Sequence, residues 1–301
     1  MQIGGVKVTD VLKTAGRHVV PFRRTLRRVK RMIRPYQDDP GNSGYCITNG
    51  LEQIVAFRES GFEVRGKTVL EFGSGWLPLI PWLFQLAGAG RLILTDIDRL
   101  MDEQTIERAR VILRTRIQDI AGALLQPEST LLAQLEQPLR FDYLVPWDAA
   151  SHPAGSADLI FSRATLEHVP LQQLEFFFGQ FFRILRPGGA MSHLVDNSDH
   201  WQHKDRALSR VNFLRFDDKG IFWKISQLNP QGFQNRLRHQ DYITLMQQAG
   251  FTIDTAQGTP DEQCLRDLCH LPLNHRFQGR QPQDLAILIS LFVASRPAAR
   301  H

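Results

Sequence analysis

Val69-Leu70-Glu71-Phe72-Gly73-Ser74-Gly75, followed about twenty residues on by Leu92-Ile93-Leu94-Thr95-Asp96, decides the fold. The first run reads as an apolar strand and a glycine turn that opens a helix. The second reads as another strand, ending in a carboxylate. In an α/β fold this arrangement grips a nucleoside: glycines let the backbone approach the ligand, and the acid accepts hydrogen bonds from ribose hydroxyls.

Working outward, strands are expected over about 67–72, 91–96, 141–145, 158–162, 190–195, 251–256 and 284–294. Pro78 and Pro81 fall in the first turns of the intervening helix, where a missing N–H is tolerated. Residues 101–118 read as a helix and 119–139 as a helical insertion. Leu174, Phe177, Phe178, Phe181 and Leu185 recur at helical spacing and predict a core-facing stripe. Pro187-Gly188-Gly189 then stops that helix. A helix is expected over 49–60, preceded by a turn-rich linker, Asp38 to Gly44. Residues 196–238 are polar and irregular, too long for a simple connection, and a helix over 239–249 follows. Alternating strands and helices imply a Rossmann-like, doubly wound, seven-stranded sheet of mostly parallel strands with helices on both faces. Ligands of such sheets sit at the carboxyl ends of the strands.

With 301 residues, 43% of them hydrophobic and 22% charged, the chain reads as a globular α/β protein. No apolar run has the length of a membrane span, and the N-terminus lacks the apolar stretch of a secretory signal, so a cytoplasmic location is expected. Cys46, Cys264 and Cys269 are read as reduced thiols, and Cys264, Cys269 and His270 lack the spacing of a zinc site. Residues 1–34 hold ten Lys/Arg and one acid, Asp10, so this arm carries +9 of a net +5 and leaves the rest of the chain at −4. Phe22, Leu26, Val29 and Ile33 form an apolar stripe among Arg23, Arg24, Arg27, Arg28, Lys30, Arg31 and Arg34. The stretch 21–34 has two readings: a helix packed on the domain with its charges solvated, or a peripheral contact with an anionic surface. The expected organisation is a basic helical extension over 1–60 and a catalytic domain over 61–301, with 196–238 as an acceptor-side insertion.

Together these motifs resemble the class I S-adenosylmethionine-dependent methyltransferases. The matching residues are Val69 to Gly75, Thr95-Asp96, Asp148 with Pro153 five residues on, the segment from Asp158 to Val169 containing Leu166-Glu167-His168, and Leu185-Arg186-Pro187-Gly188-Gly189. The resemblance covers about 60–295 and implies S-adenosyl-L-methionine as cofactor and an antiparallel last strand. It places Glu71, Gly73, Ser74 and Gly75 at the methionine end of the cofactor. It places Asp96 and Ile97 at the ribose, and Asp148 and Ala149 at adenine. Ser162 and Arg163 are expected to face the sulfonium. The family often has a third glycine where this chain has Leu77.

A hydroxyl acceptor calls for a general base, most often histidine. His168, His193, His200 and His203 are the candidates. His200 is preceded by Asp196 and Asp199, either of which could orient it, and His168 ends the fourth strand's motif, so His200, His168 and Asp196 are the expected catalytic residues. Asn212, Arg236 and Arg238 are candidate acceptor-binding residues, the arginines as a clamp for an anionic group. Glu167, His168, Asp196 and His200 could gather a divalent ion, but their spacing enforces no such geometry, and no metal is assigned. The chain lacks the Asn/Asp-Pro-Pro-aromatic motif of amino-methylating DNA enzymes, so nucleic acid is not the expected acceptor. The expected activity is methyl transfer to a hydroxyl of a small molecule or glycan precursor. The alternatives are transfer to nitrogen, or a non-catalytic methyltransferase-like module that binds through the basic arm.

Overall fold

The computed structural model describes residues 2–7, 40–220, 223–224 and 233–298. The basic stretch 21–34 lies outside the described residues. Seven strands form one sheet: β1 (Thr68–Phe72), β2 (Arg91–Thr95), β3 (Asp142–Leu144), β4 (Ala157–Arg163), β5 (Leu185–Asp196), β6 (Thr252–Gln257) and β7 (Ile289–Ser295). Their order is β3-β2-β1-β4-β5-β7-β6. Pairings from β3 to β5 are parallel, and β7 runs antiparallel to both its neighbours. The chain therefore winds outward from β1 to β3 and returns to β4. The switch point lies between the carboxyl ends of β1 and β4, where this topology opens a crevice.

Among the described residues, the helices that cover the sheet are α1 (Pro40–Glu59), α2 (Leu79–Leu86), α3 (Glu103–Arg114), α4 (Ile117–Leu124), α5 (Glu128–Leu135), α6 (Leu171–Ile184) and α7 (His239–Gln248), and α8 (Glu262–Leu268) packs in a separate cluster. Strand alternation feeds two cores. Val69, Leu92, Leu94 and Phe161 face α1 to α5, while Leu70, Ile93 and Ile160 face α6 and α7. The predicted stripe is present: Leu174, Phe178 and Phe181 are fully buried. A third cluster joins Trp201, Phe213, Phe216 and Phe277 of the acceptor-side half. An N-terminal hairpin of Gln2–Ile3 and Val6–Lys7 docks on it, with Val6 buried and Asn212 Nδ2 donating to the Gly4 carbonyl at 3.0 Å.

Three expectations need correction. Of the segment read as a linker, Asp38 and Asp39 lie outside the described residues, and Pro40 to Gly44 form the start of α1, where proline is well tolerated. Its glycines serve packing: a Cβ on Gly50 would lie 2.8 Å from Leu83 Cδ1, so α1 closes on α2 because that side chain is missing. The expected strand 190–195 extends over Leu185–Asp196, and Pro187-Gly188-Gly189 is absorbed at an irregularity in its pairing with β4. The last strand starts at Ile289, not 284, because Pro282 opens a helical turn, Pro282–Leu285. Helix α1, assigned by the sequence to the extension, packs Ile47, Leu51, Ile54 and Phe57 into the first core.

Candidate active site

At the switch point lies a cleft of about 260 Å³, lined among others by Cys46, Glu71, Gly73, Gly75, Arg163 and Thr165. The turn after β1 explains the glycines. Gly73 has φ +80°, and a Cβ there would lie 2.5 Å from Thr165 Cγ2. Gly75 has φ +65°, and a Cβ there would meet nothing within 4 Å. The first glycine permits contact with the β4 turn, and the second leaves backbone bare towards the cleft. The Gly73 and Ser74 amides both donate to the Thr95 carbonyl at 3.0 Å, and Gly75 N–H donates to Asp96 Oδ2 at 2.9 Å. Asp96 Oδ1 accepts from the amides of Ile97 at 2.7 Å and Asp98 at 3.3 Å. Asp96 thus ties the glycine turn to the end of β2 and keeps lone pairs for a ligand. Burial raises its carboxyl above the usual range, and the Gly75 amide pulls the other way. Ile97 stands beside it, 74% exposed.

Glu71 is buried at the floor of the cleft, and its Oε2 has no hydrogen-bond partner. Burial pushes its carboxyl up to about 8, against a hydrogen bond from Ser74. Asp148 is exposed and accepts from the Ala150 amide at 3.0 Å. Its loop is tied to the end of β2, since Trp147 N–H donates to the Asp96 carbonyl at 3.1 Å. Ala149 is buried, and its carbonyl accepts from Arg183 Nη2 at 2.7 Å.

Beyond the cleft, the ends of β4 and β5 bring five titratable groups together: Asp196, His200, His168, His203 and Glu167. Asp196 Oδ1 accepts from Ser198 N at 2.9 Å and Ser198 Oγ at 2.6 Å. His200 Nε2 stands 3.5 Å from Asp196 Oδ2, close enough for an ion pair and long for a full hydrogen bond. Burial pushes the Asp196 carboxyl up, but His200 and the Ser198 donors outweigh it and bring it down to about 2. The His168 and His200 rings lie 5.1 Å apart, and His203 stacks on His200 at 5.1 Å. Burial, aided by His200, lowers the His168 imidazole to about 4. Glu167 is buried beside them, held well above the usual carboxyl range by burial and then by the charge of Asp196.

A family model described as a methyltransferase domain matches residues 47–256. The chain belongs to this methyltransferase family. Among solved structures, an S-adenosylmethionine-dependent methyltransferase from Mesorhizobium loti is 16% identical, covering 82% of this chain and 100% of its own, with a TM-score of 0.44. One from Methanosarcina mazei is 14% identical, covering 78% and 94%, with a TM-score of 0.44. No curated protein matches.

The methyltransferase uses S-adenosyl-L-methionine, and the cleft suits it. An orphaned buried carboxylate oxygen on Glu71 matches an ammonium group. The open side of Gly75 admits a ligand against bare backbone, and Asp96 retains acceptor capacity for a diol.

Several of the sequence-predicted site residues lie elsewhere. Ser162 does not face the cleft: it is fully buried, with Oγ 2.7 Å from His193 Nδ1, because alternation along β4 turns it into the sheet. Arg163, the next residue, does line the cleft, and its Nε donates to Asn49 Oδ1 at 3.3 Å. Arg236 is buried over the Trp223 ring at 4.0 Å, donates to the carbonyls of Phe213 and Phe216, and pairs with Asp218. Arg238 is fully buried and donates to the carbonyls of Asn197, Leu285 and Ile287, each at 2.7 Å. Asn212 is buried against Gly4. These three are buried in and around the insertion, and the Nε of each arginine is left without a hydrogen-bond partner.

Sequence reasoning missed the contribution of α1. Asn42, Ser43 and Cys46 line the cleft, Asn49 holds Arg163, and Gln53 Nε2 donates to the Ser162 carbonyl at 2.9 Å. The signal was present: 42, 46, 49 and 53 recur at helical spacing as a polar stripe beside Ile47, Leu51 and Ile54. The Pro-Gly and Ser-Gly pairs at its start disguised it as a turn.

Proposed function

We propose that the enzyme transfers the methyl group of S-adenosyl-L-methionine to a hydroxyl of a small molecule or glycan precursor. The observation that carries this is the Asp196–His200–His168 cluster at the carboxyl ends of β4 and β5, beside the cleft. When bound, the cofactor supplies an electrophilic methyl on its sulfonium. Everything else falls to the protein. Glu71 takes the cofactor's ammonium, the Gly73–Gly75 turn carries its methionine end, Asp96 and Ile97 receive the ribose, and Asp148 and Ala149 flank adenine. Arg163, braced by Asn49, borders the acceptor space with Tyr45, whose ring lies 5.4 Å from its guanidinium. In-line displacement needs the acceptor oxygen aligned behind the methyl and its proton removed. In the protein alone His200 receives that proton at its bare Nε2, and Asp196 steadies the imidazolium. The Asp196 carboxylate stays ionised through neutral pH, as this role requires.

The test is methyl transfer from labelled cofactor to matched panels of hydroxyl- and amine-bearing acceptors, beside Asp96→Ala. Label is expected on oxygen. Asp96→Ala is expected to weaken S-adenosylhomocysteine binding about tenfold or more by calorimetry, since a charge-assisted pair to the diol is lost. Label on amines alone would overturn the hydroxyl reading, and undiminished affinity in the variant would overturn the role of Asp96.

A further inference from the structure

Glu167, His168 and His200 each offer one donor atom, and these atoms all lie within 4.8 Å of one another. Both carboxylate oxygens of Glu167 are buried without a hydrogen-bond partner, and so is His200 Nε2. An uncompensated buried carboxylate is costly, and folded proteins keep one where something pairs with it. His168 Nε2 lies 4.0 Å from Glu167 Oε1, beyond hydrogen-bond range, Asp196 is itself an acid, and Arg163 donates to Asn49.

The surroundings fit a metal ligand set. His168 Nδ1 lies 2.7 Å from the Phe233 carbonyl, which can only accept, so Nδ1 carries the proton and Nε2 presents its lone pair to the cluster. A backbone carbonyl fixing the tautomer in this way is the usual outer support of a metal-binding histidine. The turn carrying Glu167 and His168 is clamped: Asn235 N–H donates to the Glu167 carbonyl at 2.9 Å, and Asn235 Nδ2 donates to the carbonyls of Leu166 at 2.7 Å and Val169 at 2.9 Å. The His200 loop is clamped from the same segment. Gln234 Oε1 accepts from the His200 amide at 3.1 Å, and Gln234 Nε2 donates to the Ser198 carbonyl at 2.7 Å. Donors at bonds of about 2 Å around one ion stand about 3–3.5 Å apart, so from a spread of up to 4.8 Å a closure of at most about 1.3–1.8 Å completes the set.

We propose that Glu167, His168 and His200 bind one divalent transition-metal ion, which holds and ionises the acceptor's hydroxyl. Two imidazoles and one carboxylate favour Zn²⁺ or Mn²⁺ over Mg²⁺ or Ca²⁺, and leave coordination positions for the acceptor oxygen. The inference rests on the hydroxyl reading above and deepens it. With the ion bound, His200 is a ligand rather than the base, and the proton leaves to water from an oxygen the ion has acidified. The oxygen then attacks the methyl carbon, forming the O–C bond of a methyl ether as the C–S bond breaks and the sulfur leaves as a thioether.

Full-length protein, stripped with a chelator and dialysed, is titrated with Zn²⁺, Mn²⁺ or Mg²⁺ alone. Calorimetry reads the stoichiometry, and electron paramagnetic resonance reads free Mn²⁺. One equivalent of Zn²⁺ or Mn²⁺ is expected, with Mg²⁺ at least tenfold weaker. Glu167→Gln and His200→Ala are each expected to weaken binding tenfold or more, and His270→Ala, on the exposed surface, to leave it unchanged. S-adenosylhomocysteine affinity, unchanged in all variants, shows that they are folded. Should a variant fail to fold, the Co²⁺ absorption spectrum of the wild type reads histidine ligation without mutation. No bound metal, or equal binding by Glu167→Gln and His200→Ala, overturns the site. Undiminished hydroxyl methylation after chelation overturns the role of the ion and leaves the hydroxyl reading intact. Metal bound at one equivalent with methyl transfer to amines alone does the reverse.

Discussion

Burial drives the Glu71 carboxyl up to about 8, from an ordinary value near 4.5. The folded state therefore holds a proton that the unfolded chain has lost, across the window between those two values. Stability falls as pH rises through that window and levels off above it. Glu71→Gln removes the slope. The variant is expected to gain on the order of 3 kcal/mol relative to wild type near pH 8 and nothing near pH 4, read by denaturant unfolding at the two pH values. The same proton couples to the cofactor. An ammonium placed against Glu71 favours its ionised form, so binding expels the proton below pH 8. S-adenosylhomocysteine affinity is expected to rise with pH from 6 to 8, by up to tenfold per unit, and to lose that dependence in Glu71→Gln. A flat wild-type profile would show that Glu71 does not meet the ammonium.

At the scale of elements, the acceptor-side insertion is held by buried cations rather than by regular structure. Arg238 leaves the start of α7 and donates to three carbonyls, two of them in the turn that precedes β7. Arg238→Met keeps the volume but strands the carbonyls of Asn197, Leu285 and Ile287. It is expected to cost about 3 kcal/mol of unfolding free energy, with S-adenosylhomocysteine affinity unchanged because the cleft lies on other elements. An unaltered melting curve would show that water replaces the guanidinium. This residue also marks where sequence reading stops. The strands, the order of the motifs and the glycine turn were legible because period-two burial and positive φ leave a local trace in residue type. Glu71 and Arg163, which the resemblance put at the site, line the cleft. An arginine spent on distant carbonyls leaves no such trace: Arg236 and Arg238 read as solvated clamps until partners some twenty to fifty residues away are known. Ser162 failed for a subtler reason, since its neighbour faces the cleft and one step along a strand reverses the side chain. Only the second half of helix α1 was legible, over 49–60; its start was hidden because the prolyl-glycyl and seryl-glycyl pairs there lower helix propensity.

At the scale of the molecule, charge and topology combine. The arm over residues 1–34 carries +9 and the remainder −4. The described residues on either side of the arm both end on the acceptor side. The hairpin at 2–7 docks on the insertion through Asn212 and Phe216, and α1 starts at the cleft with Asn42 and Ser43. No helix among the described residues is long and apolar enough to cross a membrane. On the membrane reading of the basic stretch, its charges would hold the enzyme at an anionic lipid surface, where a lipid-linked glycan precursor would present its hydroxyl. Each basic residue near such a surface contributes about 1 kcal/mol. Changing Arg23, Arg24, Arg27, Arg28, Lys30 and Arg31 to glutamine, while keeping the hairpin, is therefore expected to lower partitioning onto phosphatidylserine vesicles by at least tenfold in a sedimentation assay. Wild-type partitioning is expected to fall steeply with added salt, as counterion screening requires. S-adenosylhomocysteine affinity in solution is expected to be equal for the two proteins. Equal partitioning would mean that the arm spends its charge on water, and that the acceptor reaches the cleft from solution.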